Sequence, residues 1–202
     1  DLNALRKKHE ELTNKNKKGS NTEFLDNFLQ LDEGTTVVRI LPSKNEETLF
    51  YAETKIHRIP NGENTENRHC LKMHNEKCPI CDKYFALWKT KNKEDEKLAR
   101  SIKPTPRYYF NVLHKDTGKV KILSVGVTLF EKIISTMLNE DYGDVTDLQS
   151  GFDFKITKKI IKEANGTWPK YDQSEFRPKS TPAGTPQEIA AMMESLHDIH
   201  SL

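Results

Sequence analysis

Three cysteines lie within twelve positions, Cys70, Cys78 and Cys81, the last two as Cys78-Pro79-Ile80-Cys81. Structural disulfides come in even numbers and spread along a secreted chain, so an odd, clustered set points to a metal or to redox chemistry. Cys-x-x-Cys lets two thiolates reach one tetrahedral ion, and three cysteines call for a histidine as the fourth ligand of a structural Zn²⁺. His69 adjoins Cys70 too closely to converge comfortably on the same ion. His74 lies between Cys70 and Cys78, and His57 precedes the polar stretch 60–67, which reads as a loop closing a larger zinc-held lobe. Spacing leaves His57 and His74 level.

An open, catalytic metal is the rival. His74-Asn75-Glu76 followed by Cys78-x-x-Cys81 has the outline of the zinc-deaminase pattern, with Glu76 as its one neighbouring base. Only Lys77 separates the two halves, too little to build the separate helices that pattern uses, and the proline falls inside the cysteine pair. Four protein ligands also leave no position for water. A thioredoxin-like pair needs a βαβ setting that the chain does not show. The reading is one structural Zn²⁺ and no enzyme.

Positive charge is concentrated beside the cysteines. Residues 82–121 hold eleven Lys/Arg and five Asp/Glu, a net +6 in a chain whose total is +2. Charge sorted this way attracts polyanions. Aromatic rings are interleaved with it: Tyr84, Phe85, Trp88, Tyr108, Tyr109 and Phe110 among Lys89, Lys91, Lys93, Lys103 and Arg107. Stacking rings along a positive groove hold single-stranded nucleic acid without reading its sequence. On a strand Tyr108 and Phe110 share one face and Tyr109 the other, so at least one ring turns away from the core. A second group, Trp168-Pro169-Lys170-Tyr171, follows the turn signal Asn165-Gly166 and reads as part of that turn.

The elements that must position these residues are mainly strands. Apolar or alternating runs at 37–41, 49–56, 108–113, 119–125 and 152–156 are bounded by turn residues, and 108–125 forms a hairpin around Asp116-Thr117-Gly118. Five such strands suggest a small β-barrel or sandwich. Helical spacing appears at 127–138 and at 187–202, where Ile189, Met192, Met193, Leu196 and Ile199 follow Pro186. Residues 1–20 read as a basic arm with a weak apolar stripe of Leu2, Leu5 and Leu12, and 178–186 as a connector. No apolar run approaches the ~18 residues of a membrane span. The first residues show no signal-peptide pattern, and without an initial Met the numbering is expected to start inside a longer chain.

Taken in order, these segments resemble the T4-type bacteriophage single-stranded DNA-binding, helix-destabilising proteins. The resemblance runs from Val37-Val38-Arg39-Ile40-Leu41-Pro42-Ser43-Lys44-Asn45 through His57, Cys70 and Cys78-Pro79-Ile80-Cys81. It continues in Tyr108-Tyr109-Phe110-Asn111-Val112-Leu113 and Trp168-x-x-Tyr171-Asp172, and so covers roughly 30–176. It implies a mainly β protein with some helix: an OB-fold core over 21–180, a zinc subdomain inserted at about 55–105, and a connector and C-terminal helix over 181–202. It also implies a His-Cys₃ zinc site of His57, Cys70, Cys78 and Cys81, which decides between the two histidines.

The resemblance further implies a cleft for single-stranded DNA. Its candidate contacts are Arg39, Tyr84, Trp88, Lys89, Lys91, Lys93, Lys103, Arg107, Tyr108, Tyr109, Lys119, Lys121, Trp168 and Tyr171. The family's basic motif is diluted here to Lys103-Pro104-Thr105-Pro106-Arg107, and its copy in the arm is only partly echoed by Arg6-Lys7-Lys8-His9. The family's acidic C-terminal tail has no counterpart here. Expected partners are single-stranded DNA, neighbouring copies along the strand and phage replication proteins, in the cytoplasm of an infected bacterium and with no membrane. Competing readings are a zinc-bearing protein-interaction module and a zinc-dependent nucleic-acid enzyme.

Overall fold

The computed structural model describes residues 22–202 except 46 and 165; the basic arm expected over 1–20 lies outside them. Strands β1 (Gly34–Ile40), β2 (Tyr51–Asn61), β3 (Asn64–His69), β4 (Thr105–His114), β5 (Lys119–Val125), β6 (Asp153–Glu163), β7 (Gly166–Lys170) and β8 (Glu175–Phe176) form one antiparallel sheet. Its main path runs β3-β2-β4-β1-β6-β7, with β5 on β4 and β8 on β6. Helices α1 (Pro79–Lys89), α2 (Lys93–Ile102), α3 (Val127–Met137) and α4 (Pro186–Glu194) complete the described fold, with short turns at Leu71–His74 and Ile199–Ser201. None of these helices is long and apolar enough to cross a membrane.

β4 is the spine. One edge pairs with β2 over its first half and with β1 over its second, while the other edge pairs with β5 from Tyr108↔Val125 to His114↔Lys119. Alternation then sorts its side chains. Phe110 and Val112 join Val38, Ile40, Leu123, Val125, Phe154 and Ile156 in the main core, which Leu129 and Ile133 of α3 close from one side. Tyr109 and Leu113 face outward and are covered by two smaller clusters. Leu113 meets Leu41, Ala183 and Met192; Tyr109 meets Ala52, Ile122, Phe28 and Ile199.

Several boundaries differ from the sequence reading. The stretch 60–67 is not a loop: β2 continues to Asn61, turns at Gly62 with φ of 61° and returns as β3. Two helices occupy the basic segment that showed no helical signal. Trp168 and Lys170 belong to strand β7, paired with β6, instead of a turn. Pro169 is tolerated because β7 is an edge strand, where a missing N–H breaks no ladder. The last helix stops at Glu194, after which the Asn111 side chain accepts from the His197 N–H and donates to its carbonyl, both at 2.9 Å. That clamp ends the helix and straps residues 197–202 across the outer face of β4.

Candidate metal centre and nucleic-acid interface

The β2–β3 hairpin, the turn Leu71–His74 and helices α1 and α2 build a lobe around His57, Cys70, Cys78 and Cys81, all buried. β2 supplies His57, the end of β3 leads into Cys70, and α1 supplies Cys78 as its N-cap with Cys81 in the first turn. The four donor atoms lie within 4.8 Å of one another. Cys70 Sγ stands 3.5 Å from Cys81 Sγ, and His57 Nε2 stands 3.4 Å and 3.6 Å from the Cys78 and Cys81 sulfurs. Ligands bonded to one tetrahedral ion at ordinary Zn–S and Zn–N lengths stand about 3.5–3.8 Å apart, so the cage already has the dimensions of a metal site.

The surroundings orient these donors. His57 Nδ1 lies 2.8 Å from the carbonyl of Ile102, the last residue of α2. Donation there fixes the tautomer with the Nε2 lone pair aimed at the sulfurs. Burial pushes the Cys78 thiol up, but the backbone N–H groups of Cys81, Leu71 and Ile80 outweigh it and bring the thiol down to about 6. A thiolate at a helix N-terminus is the expected consequence. Burial, together with the neighbouring Cys70 and Cys78, pushes Cys81 up to about 12. A cation among these sulfurs would remove that conflict. His74 is exposed and is not among the four, and Glu76 is likewise exposed and outside the cluster.

The basic and aromatic candidates separate into three places. The first centres on Arg107 of β4. Its guanidinium lies beside Gly126, where a Cβ would stand 3.6 Å from Nη1, and its Nε is buried without a hydrogen-bond partner. Burial, and then the charge of Arg58, lower its pKa, while the nearby Tyr109 and Tyr171 phenols act in the opposite direction. Among the described residues neither arginine forms an ion pair with a carboxylate. Three elements thus meet there: β2 with Arg58, β4 with Arg107 and Tyr109, and the segment after β7 with Tyr171. Arg58 was absent from the sequence candidates. Its position opposite Asn67 in an all-polar hairpin gave no signal.

The second place is the metal lobe. Tyr84 and Trp88 meet edge to face on α1 at 6.3 Å, and Arg100 of α2 lies 5.7 Å from the Trp88 ring centre. Lys89, Lys91, Lys93 and Lys103 are exposed around them. The third is the tip of the β4–β5 hairpin with Lys119 and Lys121. Six residues separate Lys119 from Val125, which pairs with Tyr108, and this puts the tip about 20 Å from the Arg107 end.

Three candidates are corrected. Arg39 has no exposed surface; Asp153 holds its Nε at 3.0 Å and its Nη2 at 2.8 Å, and Nη2 donates to Thr181 Oγ1 at 2.8 Å. It points away from the main core, but residues 177–183 cover that side, so it cannot meet a phosphate. Tyr109 is 7% exposed beneath Phe28 and Ile199. Tyr108 packs on the main core with one ring face stacked on Phe130, 3.6 Å between centres and 6° between planes. Trp168, by contrast, is 38% exposed on the edge strand β7, and Tyr171 is half-buried beyond it.

Fold and site together define a mainly antiparallel β protein with a Cys/His metal centre and a basic, aromatic-flanked surface. A model of the family described as gp32 DNA binding protein like matches residues 32–202, and the chain belongs to that family. It is similar to the single-stranded DNA-binding protein of Enterobacteria phage T2, 28% identical over 168 residues that cover 73% of this chain and 53% of that protein. The chain spans about half the length of that relative.

Proposed function

We propose that the protein binds single-stranded DNA without sequence preference and has no catalytic activity. The observation that carries this is the pair Arg58 and Arg107, without carboxylate partners among the described residues, between the metal lobe and the sheet. Burial and like charge leave positive potential there that a phosphate would neutralise, releasing counterions from the DNA. Trp168 offers an exposed ring face and Tyr171 a half-covered one, enough to stack unpaired bases but not bases already stacked in a duplex. Tyr109 serves as a wall of the site instead of a platform. The family membership and the phage relative support the same reading.

In this reading the sheet is an OB-fold core over 21–180, and 55–105 is a zinc subdomain whose His-Cys₃ cage holds one Zn²⁺. Closed by four protein ligands, that ion supplies structure and no Lewis-acid chemistry. The exposed lysines of α1 and of the turn into α2, with Trp88, extend the positive surface. Coating of DNA during phage replication, recombination and repair, beside neighbouring copies and replication proteins in the host cytoplasm, follows from the same reading.

The test is the double substitution Arg58→Ala and Arg107→Ala. It is expected to weaken oligo(dT) binding and to flatten the dependence of log K on log salt by about 1.4, roughly 0.7 for each phosphate released. An unchanged slope would favour a protein-interaction module.

A further inference from the structure

The tip of the β4–β5 hairpin and helix α4 enclose a groove of about 760 Å³ that the proposed DNA surface does not use. Its floor is apolar, from Leu113, Val120, Ala183 and Met192, the last a flexible side chain suited to irregular partners. Its rim is cationic, with Lys115, Lys119 and Lys121. The rim's carboxylate, Glu188, is engaged in capping α4, its Oε2 accepting from the Thr185 N–H at 2.7 Å and its hydroxyl at 2.9 Å.

The backbone beside the groove adds a second feature. Ile122 uses its outward N–H and carbonyl on residues 27–29, with Ile122 N to Asn27 O and Leu29 N to Ile122 O both at 2.8 Å. Strand alternation directs Val120 to the same edge. Its carbonyl accepts from His197 Nε2 at 3.3 Å, and its N–H is aimed toward the groove. Pairing along this edge therefore stops at Ile122, next to Asn27, and the groove begins there.

We propose that this groove docks an acidic, amphipathic segment of a partner protein, laid in extended form beside β5. Apolar side chains on one face of the segment would enter between Leu113 and Met192. Carboxylates on the other face would meet Lys115, Lys119 and Lys121, and the backbone would extend the β5 edge at Val120. Complementary charge selects an acidic partner over a basic one, and the apolar floor favours a peptide over a sugar–phosphate chain.

The test uses the full chain, isotope-labelled for NMR, and a blocked octapeptide of alternating Glu and Leu as probe. The peptide should shift the resonances of Val120, Ala191 and Met192 saturably and more weakly as salt rises. A Lys/Leu octapeptide should bind at least about tenfold more weakly, a difference of about 1.4 kcal/mol. Ala191→Glu, an exposed change on α4 in the groove wall, should abolish the shifts while leaving oligo(dT) affinity unchanged. No shift in these residues, equal binding of the basic peptide, or oligo(dT) moving the same resonances would each overturn the inference. Because oligo(dT) affinity is measured on the same samples, failure of this groove is distinguishable from failure of the DNA-binding reading.

Discussion

At the scale of single residues, the molecule treats its charges in two opposite ways. Arg39 is sealed inside, and its ion pair with Asp153 is matched by Thr181, so removing one partner would strand the other charge. Arg39→Ala is expected to destabilise the fold by about 3 kcal/mol in urea unfolding, the usual cost of breaking a buried pair; a loss under about 1 kcal/mol would show that Lys115, 3.8 Å from Asp153, compensates. Cys78 makes a second residue-scale prediction. Its thiol is held near 6 against an ordinary value of 9.0. The folded, metal-free protein therefore favours the thiolate, and that stabilisation is complete above about 9 and lost as pH falls through about 6. Thiolate absorbance of the metal-free protein should show a component with a midpoint near 6 that Cys78→Ser removes. A single transition at the ordinary value would contradict the backbone N–H account.

At the scale of elements, the hairpin β6–β7 and the metal lobe carry the surface rings. Trp168→Ala removes a ring that packs on an exposed edge. It should weaken oligo(dT) binding by about 1–3 kcal/mol while leaving the unfolding midpoint nearly unchanged, as expected of a stacking platform. A stability loss with unaltered affinity would make Trp168 a packing residue. Legibility in the sequence also varied by element. β4 and β5 declared themselves because one face of each enters the core and alternates. β3, Asn-Thr-Glu-Asn-Arg-His, has no apolar face and is held by β2 alone, so alternation had nothing to show. α2 is mostly charged, with Ala99 and Ile102 its only buried residues; the Asn92 side chain caps it by accepting from Glu94 N–H at 2.9 Å. The cage was legible in part. Spacing supplied three cysteines and two level histidines, and only the β2–β3 pairing brings His57 back to Cys70 across thirteen residues.

At the scale of the whole molecule, the positive charge concentrated in one stretch of sequence is not one patch in space. The β4–β5 hairpin carries Arg107 at one end and Lys119 and Lys121 at the other, so the same run of sequence feeds two surfaces. Conversely Arg58, Arg107 and Tyr171, more than a hundred residues apart at the extremes, converge because β4 pairs with β2 and the chain after β7 folds back toward it. Charge counting along the chain could find the excess but not this division. The central claim is that the converged surface takes single strands. It is tested most directly by fluorescence anisotropy with labelled oligo(dT) and with duplex of matched length across a salt series. Tight binding of the single strand alone, falling steeply as salt rises, is the predicted result; equal binding of duplex, or no binding of either at low salt, would contradict it.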